Sequence, residues 1–194
     1  MATMVSVARA CDDKFARVDA TSFGDRPMND VLILGKLVRF QNAVTDVAVT
    51  NLRDTLAIVP TEHLLQIRQI DVVPPLTLSH DPHYSGGGSG LGYPRLSELC
   101  FDRRYKPRNF PHNRTLLHEV GHVMDHIYGC WSNLGPEHQA ALRTIPISPD
   151  AATHGVGEHY AAGYQRVLLS TATEAIRAAV LASRAFSGVD LVHP

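Results

Sequence analysis

Residues 118–122 read His-Glu-Val-Gly-His, the pattern H-E-x-x-H, in which two histidines stand four positions apart. In a helix, four residues advance the chain by about 400°, so His118 and His122 project from one face, one turn apart. That spacing lets two neutral imidazole nitrogens bind one metal ion at about 2.0–2.1 Å. Glu119 lies about 100° round the helix from His118, where it flanks the metal and suits a base acting on metal-bound water. The motif therefore predicts a zinc site with Glu119 as the catalytic base.

A catalytic zinc site usually has three protein ligands and one position open to water. The longer pattern H-E-x-x-H-x-x-G-x-x-H is excluded, because Asp125 and Tyr128 stand where it needs glycine and histidine. Glu158 is the favoured third ligand, since it opens a predicted helix in which Ala161 and Ala162 share its face. These small side chains would let that helix approach the zinc helix closely. Three other residues remain alternatives: Asp150, His154 and His159.

The motif lies in the strongest predicted helix of the chain, whose opposite face carries apolar residues at helical spacing. The buried stripe predicted from this spacing consists of Leu116, Val120, Val123 and Ile127. Asn113 or Thr115 can cap the start of the helix, and Gly129 suits a left-handed end. Asp125, seven residues after His118, returns to the metal face. We expect it to accept a hydrogen bond from a ligand imidazole and so fix its tautomer.

The other elements follow from hydrophobic periodicity and from the positions of proline and glycine. Residues 31–40 are predicted to form a strand or another buried element, and strands are predicted over residues 67–73 and 96–104. The predicted helices cover residues 42–58, short segments beginning at residues 60 and 136, and residues 158–169 and 172–186. The glycine- and serine-rich residues 85–90 are expected to form a flexible surface loop. They lack the glycine spacing and the following lysine of a phosphate-binding loop, which argues against phosphate binding there.

The composition is that of an ordinary globular protein. Of its 194 residues, 44% are hydrophobic and 19% are charged, with a formal net charge of −1 and a pI near 6.8. This balance argues against nucleic acid or an anionic membrane surface as a partner. The longest apolar run, residues 31–34, is too short to span a membrane, and the first residues lack a secretory signal. We expect a loosely packed lead-in over residues 1–30 and one domain over residues 31–194, in the cytoplasm or exported without a cleaved signal peptide.

Residues 118–125, together with a Glu158-x-Tyr160-Ala161 motif that begins 36 residues after His122, resemble the gluzincin metallopeptidases. Within that group the chain is most similar to the catalytic domain of anthrax lethal factor and to bacterial Pro-Pro endopeptidases. The resemblance spans residues 96–169 and is carried by two short motifs. It implies a compact zincin-like α+β domain with C-terminal helices, in which a small mixed sheet covers the active-site helix. It also implies that an edge strand, here residues 98–104, pairs with an extended substrate, and it supports Glu158 as a zinc ligand.

The chain departs from these relatives at one catalytic position. They carry a tyrosine seven residues before the ligand glutamate, where it stabilises the oxyanion, and Ala151 stands there in this chain. The candidates to replace it are His154, Tyr160 and Tyr164. His154 is preferred because it precedes the helix that carries Glu158.

The sequence thus predicts a zinc-dependent endopeptidase that acts on an extended peptide or protein. A bound zinc ion would polarise the scissile carbonyl and lower the pKa of its water, Glu119 would take the proton, and a donor such as His154 would hold the oxyanion. A delivered effector or toxin is one biological setting for this chemistry. The alternative, favoured by Ala151, is a zinc-stabilised binding module that presents its edge strand to a partner without cleaving it.

Two further groups of residues are interpreted as structural. The basic residues before the motif helix are expected in a solvated turn, with recognition of acidic substrate side chains as the alternative. They are Arg103, Arg104, Lys106 and Arg108. Cys11, Cys100 and Cys130 are odd in number and widely spaced, so they are expected to be free thiols, with a Cys100–Cys130 disulfide as the alternative.

Overall fold

The structure, a computed structural model, describes residues 28–149, 153 and 155–189. Five strands form one mixed sheet in the order β1-β2-β3-β5-β4. They are β1 Asn29–Ile33, β2 Lys36–Phe40, β3 Gln69–Val73, β4 Gly87–Gly90 and β5 Tyr93–Ser97. The central strands β2, β3 and β5 run parallel, whereas β1 and β4 pair antiparallel at the two edges. The sheet and the helices agree with the predicted α+β class. Of the lead-in predicted over residues 1–30, residues 1–27 lie outside the described part of the chain.

Eight helices accompany the sheet within the described residues. They are α1 Asp46–Ala57, α2 Thr61–Gln66, α3 Pro75–Leu78, α4 Arg114–Tyr128, α5 Cys130–Asn133, α6 Pro136–Arg143, α7 Gly157–Leu168 and α8 Glu174–Leu181. Short 3-10 turns occupy Glu98–Phe101, Pro107–Asn109 and Arg184–Phe186. The helices predicted near residues 42–58, 60, 118, 136 and 158–169 are confirmed, whereas the last predicted helix ends at Leu181 before a 3-10 turn. Over the described residues, none of the helices has the length and apolarity to span a membrane.

The segment predicted as a strand or a buried element, residues 31–40, is a β-hairpin. β1 and β2 pair in antiparallel register up to Ile33 and Lys36, which leaves two residues for the turn. Leu34 and Gly35 both adopt positive φ angles, 48° and 74°, as tight two-residue hairpins commonly require. The sequence did not indicate this turn, because leucine rarely adopts a positive φ angle.

Two predictions about residues 85–104 are wrong. The glycine-rich segment is not a free loop, because Gly87–Gly90 form β4, the edge strand beside β5. The strand predicted over residues 96–104 ends at Ser97, whose hydroxyl accepts a hydrogen bond from the Leu99 N–H at 3.3 Å and starts a 3-10 turn. Cys100 and Phe101 are both buried, so the alternation of a half-buried strand is not kept. Within the described residues, the edge strand near the motif helix is therefore β4, not residues 98–104.

The two described cysteines, Cys100 and Cys130, are free and buried, which confirms the prediction and excludes a disulfide between them. The Cys100 thiol donates hydrogen bonds to the carbonyl oxygens of Ser85 and Gly86, at 3.0 and 3.3 Å. Burial raises the pKa of this thiol to about 12, so it keeps the proton that it donates. Cys100 therefore ties the segment before β4 to the turn after β5. Cys11 lies outside the described residues.

α4 packs against β4 and β5 of the sheet and against α7. Leu116, Val120 and Val123 of the predicted stripe are fully buried, whereas Ile127 is 37% exposed, so the stripe ends one turn early. Burial of this stripe fixes the rotation of α4 about its axis. The face that carries the motif histidines is thereby left for a site.

Gly121→Val is expected to disrupt the packing of α4 on α7. A Cβ atom at Gly121 would lie 2.7 Å from the Cα of Ala161 and 3.1 Å from the Cβ of Tyr164, atoms that cannot turn away. Overpacking of this kind typically costs about 1–3 kcal/mol, and we expect a loss at the upper end, to be measured by urea unfolding. In the control Gly90→Val, where a Cβ meets no atom within 4 Å, the free energy of unfolding should change by less than about 0.5 kcal/mol. Equal losses in both variants would contradict the close helix contact.

Candidate metal centre

The motif helix is fixed at both ends by its local sequence. Asn113 is the N-cap, and its side chain accepts a hydrogen bond from a backbone N–H of the first turn at 3.0 Å. The backbone N–H of Asn113 donates to the hydroxyl of Thr55 at 2.6 Å, which anchors the start of α4 to α1. Gly129 ends the helix in the left-handed conformation, with φ of 60°. Of the two predicted caps Asn113 is therefore the one used, while Thr115 accepts a hydrogen bond from the Asn109 side chain at 3.2 Å.

The side chains of His118, His122 and Glu158 converge between α4 and α7. The Nε2 of His118 lies 3.1 Å from the Nε2 of His122 and 3.1 Å from Oε2 of Glu158, while the Nε2 of His122 lies 3.3 Å from Oε1 of Glu158. The three potential ligand atoms all lie within 4.8 Å of one another, and together they could hold a metal ion. Glu158 is buried and the two histidines are half-buried, which leaves the histidine side of the cluster in contact with solvent.

Among the candidates for a third ligand, the structure brings Glu158 to the histidines. It lies at the start of α7, the helix packed directly against the motif helix. His159, the next residue, instead stacks against the indole of Trp131, with ring centroids 5.9 Å apart. Asp150 and His154 lie outside the described residues.

Glu119 stands beside the cluster and is not one of its three ligands. Its side chain packs under β4, where a Cβ atom at Gly87 would lie 2.9 Å from both Cγ and Oε1 of Glu119. Ser89, on the same face of β4, hydrogen-bonds the Glu119 carboxylate through its side chain. A Cβ atom at Gly87 would also lie 2.8 Å from the backbone oxygen of Arg95, so glycine leaves room for both the strand partner and Glu119, a requirement that no spacing rule reveals in the sequence.

The two glutamates have opposite pKa shifts. Burial raises the pKa of Glu119 above its ordinary value, and the nearby His122 and His118 only partly offset this effect. Burial would also raise the pKa of Glu158, but the hydrogen bonds and charges of His118 and His122 together lower it below the usual range. For His122, burial favours the neutral ring, yet the hydrogen bond to Glu158 and the neighbouring carboxylates outweigh it and raise the pKa. Glu158 therefore stays ionised, as a ligand must, whereas Glu119 takes up a proton more readily.

Asp125 was predicted to accept a hydrogen bond from a ligand imidazole. Among the described residues it makes no such bond. Its Oδ1 instead accepts a hydrogen bond from the backbone N–H of Trp131 at 2.7 Å. A Cβ atom at Gly157 would lie 2.8 Å from Oδ2 of Asp125 and 3.9 Å from Nδ1 of His122, so both atoms border the same narrow space. The charge of Asp125 contributes to the raised pKa of His122, so its role here is electrostatic.

The two tyrosines predicted as substitutes for the missing oxyanion donor, Tyr160 and Tyr164, are part of the hydrophobic core. Tyr160 shares a hydrogen bond of 2.9 Å with the Ser183 hydroxyl, and the Tyr164 hydroxyl lies 2.9 Å from Nδ1 of His63. Both side chains are fully buried, so neither hydroxyl reaches a substrate at the cluster. The preferred candidate, His154, lies outside the described residues.

A tyrosine outside every predicted motif lies near the cluster. Tyr84, in the segment before β4, is half-buried, and its hydroxyl donates to the carbonyl oxygen of Gly87 at 3.0 Å. Burial raises the pKa of this hydroxyl, with smaller contributions from nearby acidic groups that include Glu119 and Glu158. Its position depends on an irregular segment folding back on the strand, so no periodicity in the sequence could indicate it.

Two of the four basic residues before the motif helix, Arg103 and Arg104, have partners within the chain. The guanidinium of Arg103 lies 4.5 Å from the centroid of the Phe110 ring, and Arg104 forms an ion pair with Asp102 at 2.6 Å. Both arginines are exposed, and these contacts are local ones within the turn before α4. The arrangement agrees with the interpretation of this cluster as a solvated turn.

Comparison of the chain with protein-family models, with curated proteins and with solved structures returned no significant match. The zincin-like fold and the gluzincin resemblance therefore stay predictions.

Proposed function

We propose that this protein is a zinc-dependent endopeptidase with a zincin-like fold, which hydrolyses peptide bonds in an extended substrate. The observation that carries the proposal is the arrangement around the H-E-x-x-H helix. Both histidines meet Glu158, while Glu119 stands beside the cluster against the edge strand. Structural zinc sites are almost always closed by four protein ligands, whereas three protein ligands and an open position are typical of catalytic sites.

The residues that would hold the metal are His118, His122 and Glu158. Their donor set, two imidazole nitrogens and one carboxylate oxygen, is one of the sets that catalytic zinc sites use. A bound zinc ion supplies a Lewis acid and lowers the pKa of a coordinated water toward about 7. The low pKa of Glu158 keeps its carboxylate ionised and able to bind a cation. Cobalt and manganese are accepted by the same ligands, and zinc is proposed because this set is so common for it.

Glu119 would act as the general base. Its carboxylate borders the cluster without being one of the ligands, which leaves it free to accept a proton from the attacking water and return it to the leaving amine. Burial raises its pKa above the ordinary value of a glutamate, which makes the carboxylate a stronger base. The close contact with Gly87 and the hydrogen bond from Ser89 would hold the carboxylate in this position.

Among the described strands, β4 is the edge strand beside the cluster, and we propose that an extended peptide pairs with it. In an antiparallel ladder, hydrogen-bonded and non-hydrogen-bonded residue pairs alternate. Ser97 donates its N–H to the carbonyl oxygen of Gly86 at 3.0 Å, and Pro94, which stands opposite Ser89, has no N–H to donate. The backbone groups of Gly87 and Ser89 therefore point away from β5, toward the open edge.

A peptide paired with this edge would pass beside the cluster. Gly87 and Ser89 contact Glu119 on the helix side of the sheet and present their backbone groups along the edge. Strand addition of this kind derives its affinity from main-chain hydrogen bonds, which suits a substrate of peptide or unfolded protein. We therefore propose β4 as the substrate-binding edge, in place of residues 98–104.

Removal of zinc is expected to abolish cleavage. Zinc-loaded protein incubated with denatured casein should release new amino termini, counted with an amine-reactive dye. Dialysis against a strong chelator should stop the release, and one equivalent of zinc should restore it. Release of termini that continues in the metal-free protein would refute a metal-dependent peptidase.

A second candidate function is a zinc-stabilised module that binds extended peptides without cleaving them. The burial of Tyr160 and Tyr164 favours it, since neither hydroxyl can stabilise an oxyanion at the cluster. Zinc-loaded protein that retains casein peptides on a column but releases no new termini would support this function over the first.

A further inference from the structure

Tyr84 lies on the outer edge of β4, the edge that faces away from β5. Its hydroxyl donates to the Gly87 carbonyl oxygen at 3.0 Å. Because the backbone groups of Gly87 point away from β5, this hydrogen bond occupies an acceptor that an added strand would use. A side chain of the protein thus takes the place of a substrate N–H at this position.

The tyrosine is held on the edge by fitted contacts. A Cβ atom at Gly86 would overlap Cζ and Oη of Tyr84, so the ring lies against the strand only because this residue is glycine. The Cys100 thiol holds the same segment through the carbonyl oxygens of Ser85 and Gly86, at 3.0 and 3.3 Å. The raised pKa of Tyr84 means that its hydroxyl keeps the proton that it donates.

We infer that Tyr84 is a cap on the substrate-binding edge, whose hydroxyl occupies the Gly87 carbonyl until an extended peptide displaces it and pairs with β4. The inference rests on the proposed function, because it adds regulation to the edge proposed there for substrate. A peptide would dock first at Ser89 and gain the bond to Gly87 only when Tyr84 turns away. Segments long enough to complete the pairing are thereby selected over shorter ones.

The test measures peptide binding without a known substrate. Zinc-loaded proteins, all carrying Glu119→Gln so that peptide is not consumed, are dialysed to equilibrium against a mixture of end-blocked random hexapeptides. Tyr84→Phe keeps the ring and removes the donor, and we expect about a fivefold rise in bound peptide, the change in equilibrium constant that one typical hydrogen bond supports. Gly86→Ala displaces the intact tyrosine and should give a similar rise. The matched control is Tyr105→Phe, whose hydroxyl faces Nδ1 of His83 at 3.5 Å, and it should leave binding unchanged.

Binding by Tyr84→Phe and Gly86→Ala that stays at the level of the parent protein, or falls below it, would overturn the cap. A lower kcat for Tyr84→Phe in the protein with intact Glu119, with peptide binding unchanged, would also overturn it, because the hydroxyl would then act on the reacting carbonyl. Failure of the proposed function has a different signature. In that case no protein with intact Glu119 releases new termini, while the two variants still bind more peptide than their parent.

Discussion

Glu119→Gln is expected to lower kcat for peptide cleavage by about 10²–10⁴-fold, the contribution typical of a general base, while zinc stays bound. Glutamine has nearly the same shape, so it still fits beneath Gly87 and still offers an oxygen to the Ser89 hydroxyl. Its amide has no basic site for the proton of the attacking water. Zinc content and kcat, measured on one preparation of each protein, test this expectation.

The matched control for this variant is Glu137→Gln. The Glu137 side chain is 72% exposed on α6 and forms an ion pair with the neighbouring His138, at 3.5 Å. This variant should keep both the turnover and the zinc of the wild type. Loss of zinc in Glu119→Gln would make Glu119 a ligand, and unchanged turnover would remove it from the reaction.

Glu158→Ala is expected to weaken zinc binding by more than about 100-fold, because changes outside the ligand shell alone typically cost 10–100-fold. The Glu158 carboxylate approaches both ligand nitrogens, at 3.1 Å from His118 and 3.3 Å from His122. Without it, two neutral imidazoles must hold a divalent cation with no anionic ligand from the described cluster. Competition with a chromophoric zinc chelator measures the affinity of each protein.

Two further variants test whether the loss of zinc affinity is due to the Glu158 carboxylate. Glu158→Gln keeps the shape but not the charge, so it should also bind zinc weakly if the ionised carboxylate is the ligand. His159→Ala changes the adjacent residue, which stacks on Trp131 at 5.9 Å, and should keep wild-type affinity. Weak binding by His159→Ala together with normal binding by Glu158→Ala would exclude Glu158 as the third ligand.

The motif helix could be predicted because its signals are local. A cap residue, a left-handed glycine and an apolar stripe all lie within the helix or next to it, and Asn113, Gly129 and the buried Val120 agree with them. The approach of α7 was also indicated by sequence, since small residues permit close helix packing and Ala161 lies against Gly121. The position of Glu158 near the histidines follows from these two features.

The strand beside the site could not be predicted because its causes are not local. Four residues rich in glycine have a weak strand propensity, and only pairing with β5 and packing over α4 make Gly87–Gly90 a strand. The opposite error at residues 98–104 arose from an apparent alternation, which the Ser97 cap and the burial of both Cys100 and Phe101 interrupt. Tyr84 reaches the edge through a fold of the chain, so neither spacing nor propensity points to it.

The zinc content of the wild-type protein, purified without added metal and measured by native mass spectrometry, tests the central claim most directly. The mass identifies the metal and counts it in the same measurement. We predict one zinc ion per chain, held by His118, His122 and Glu158. A chain that carries no metal and binds none when zinc is added would contradict the metal centre and leave α4 as an ordinary scaffold helix.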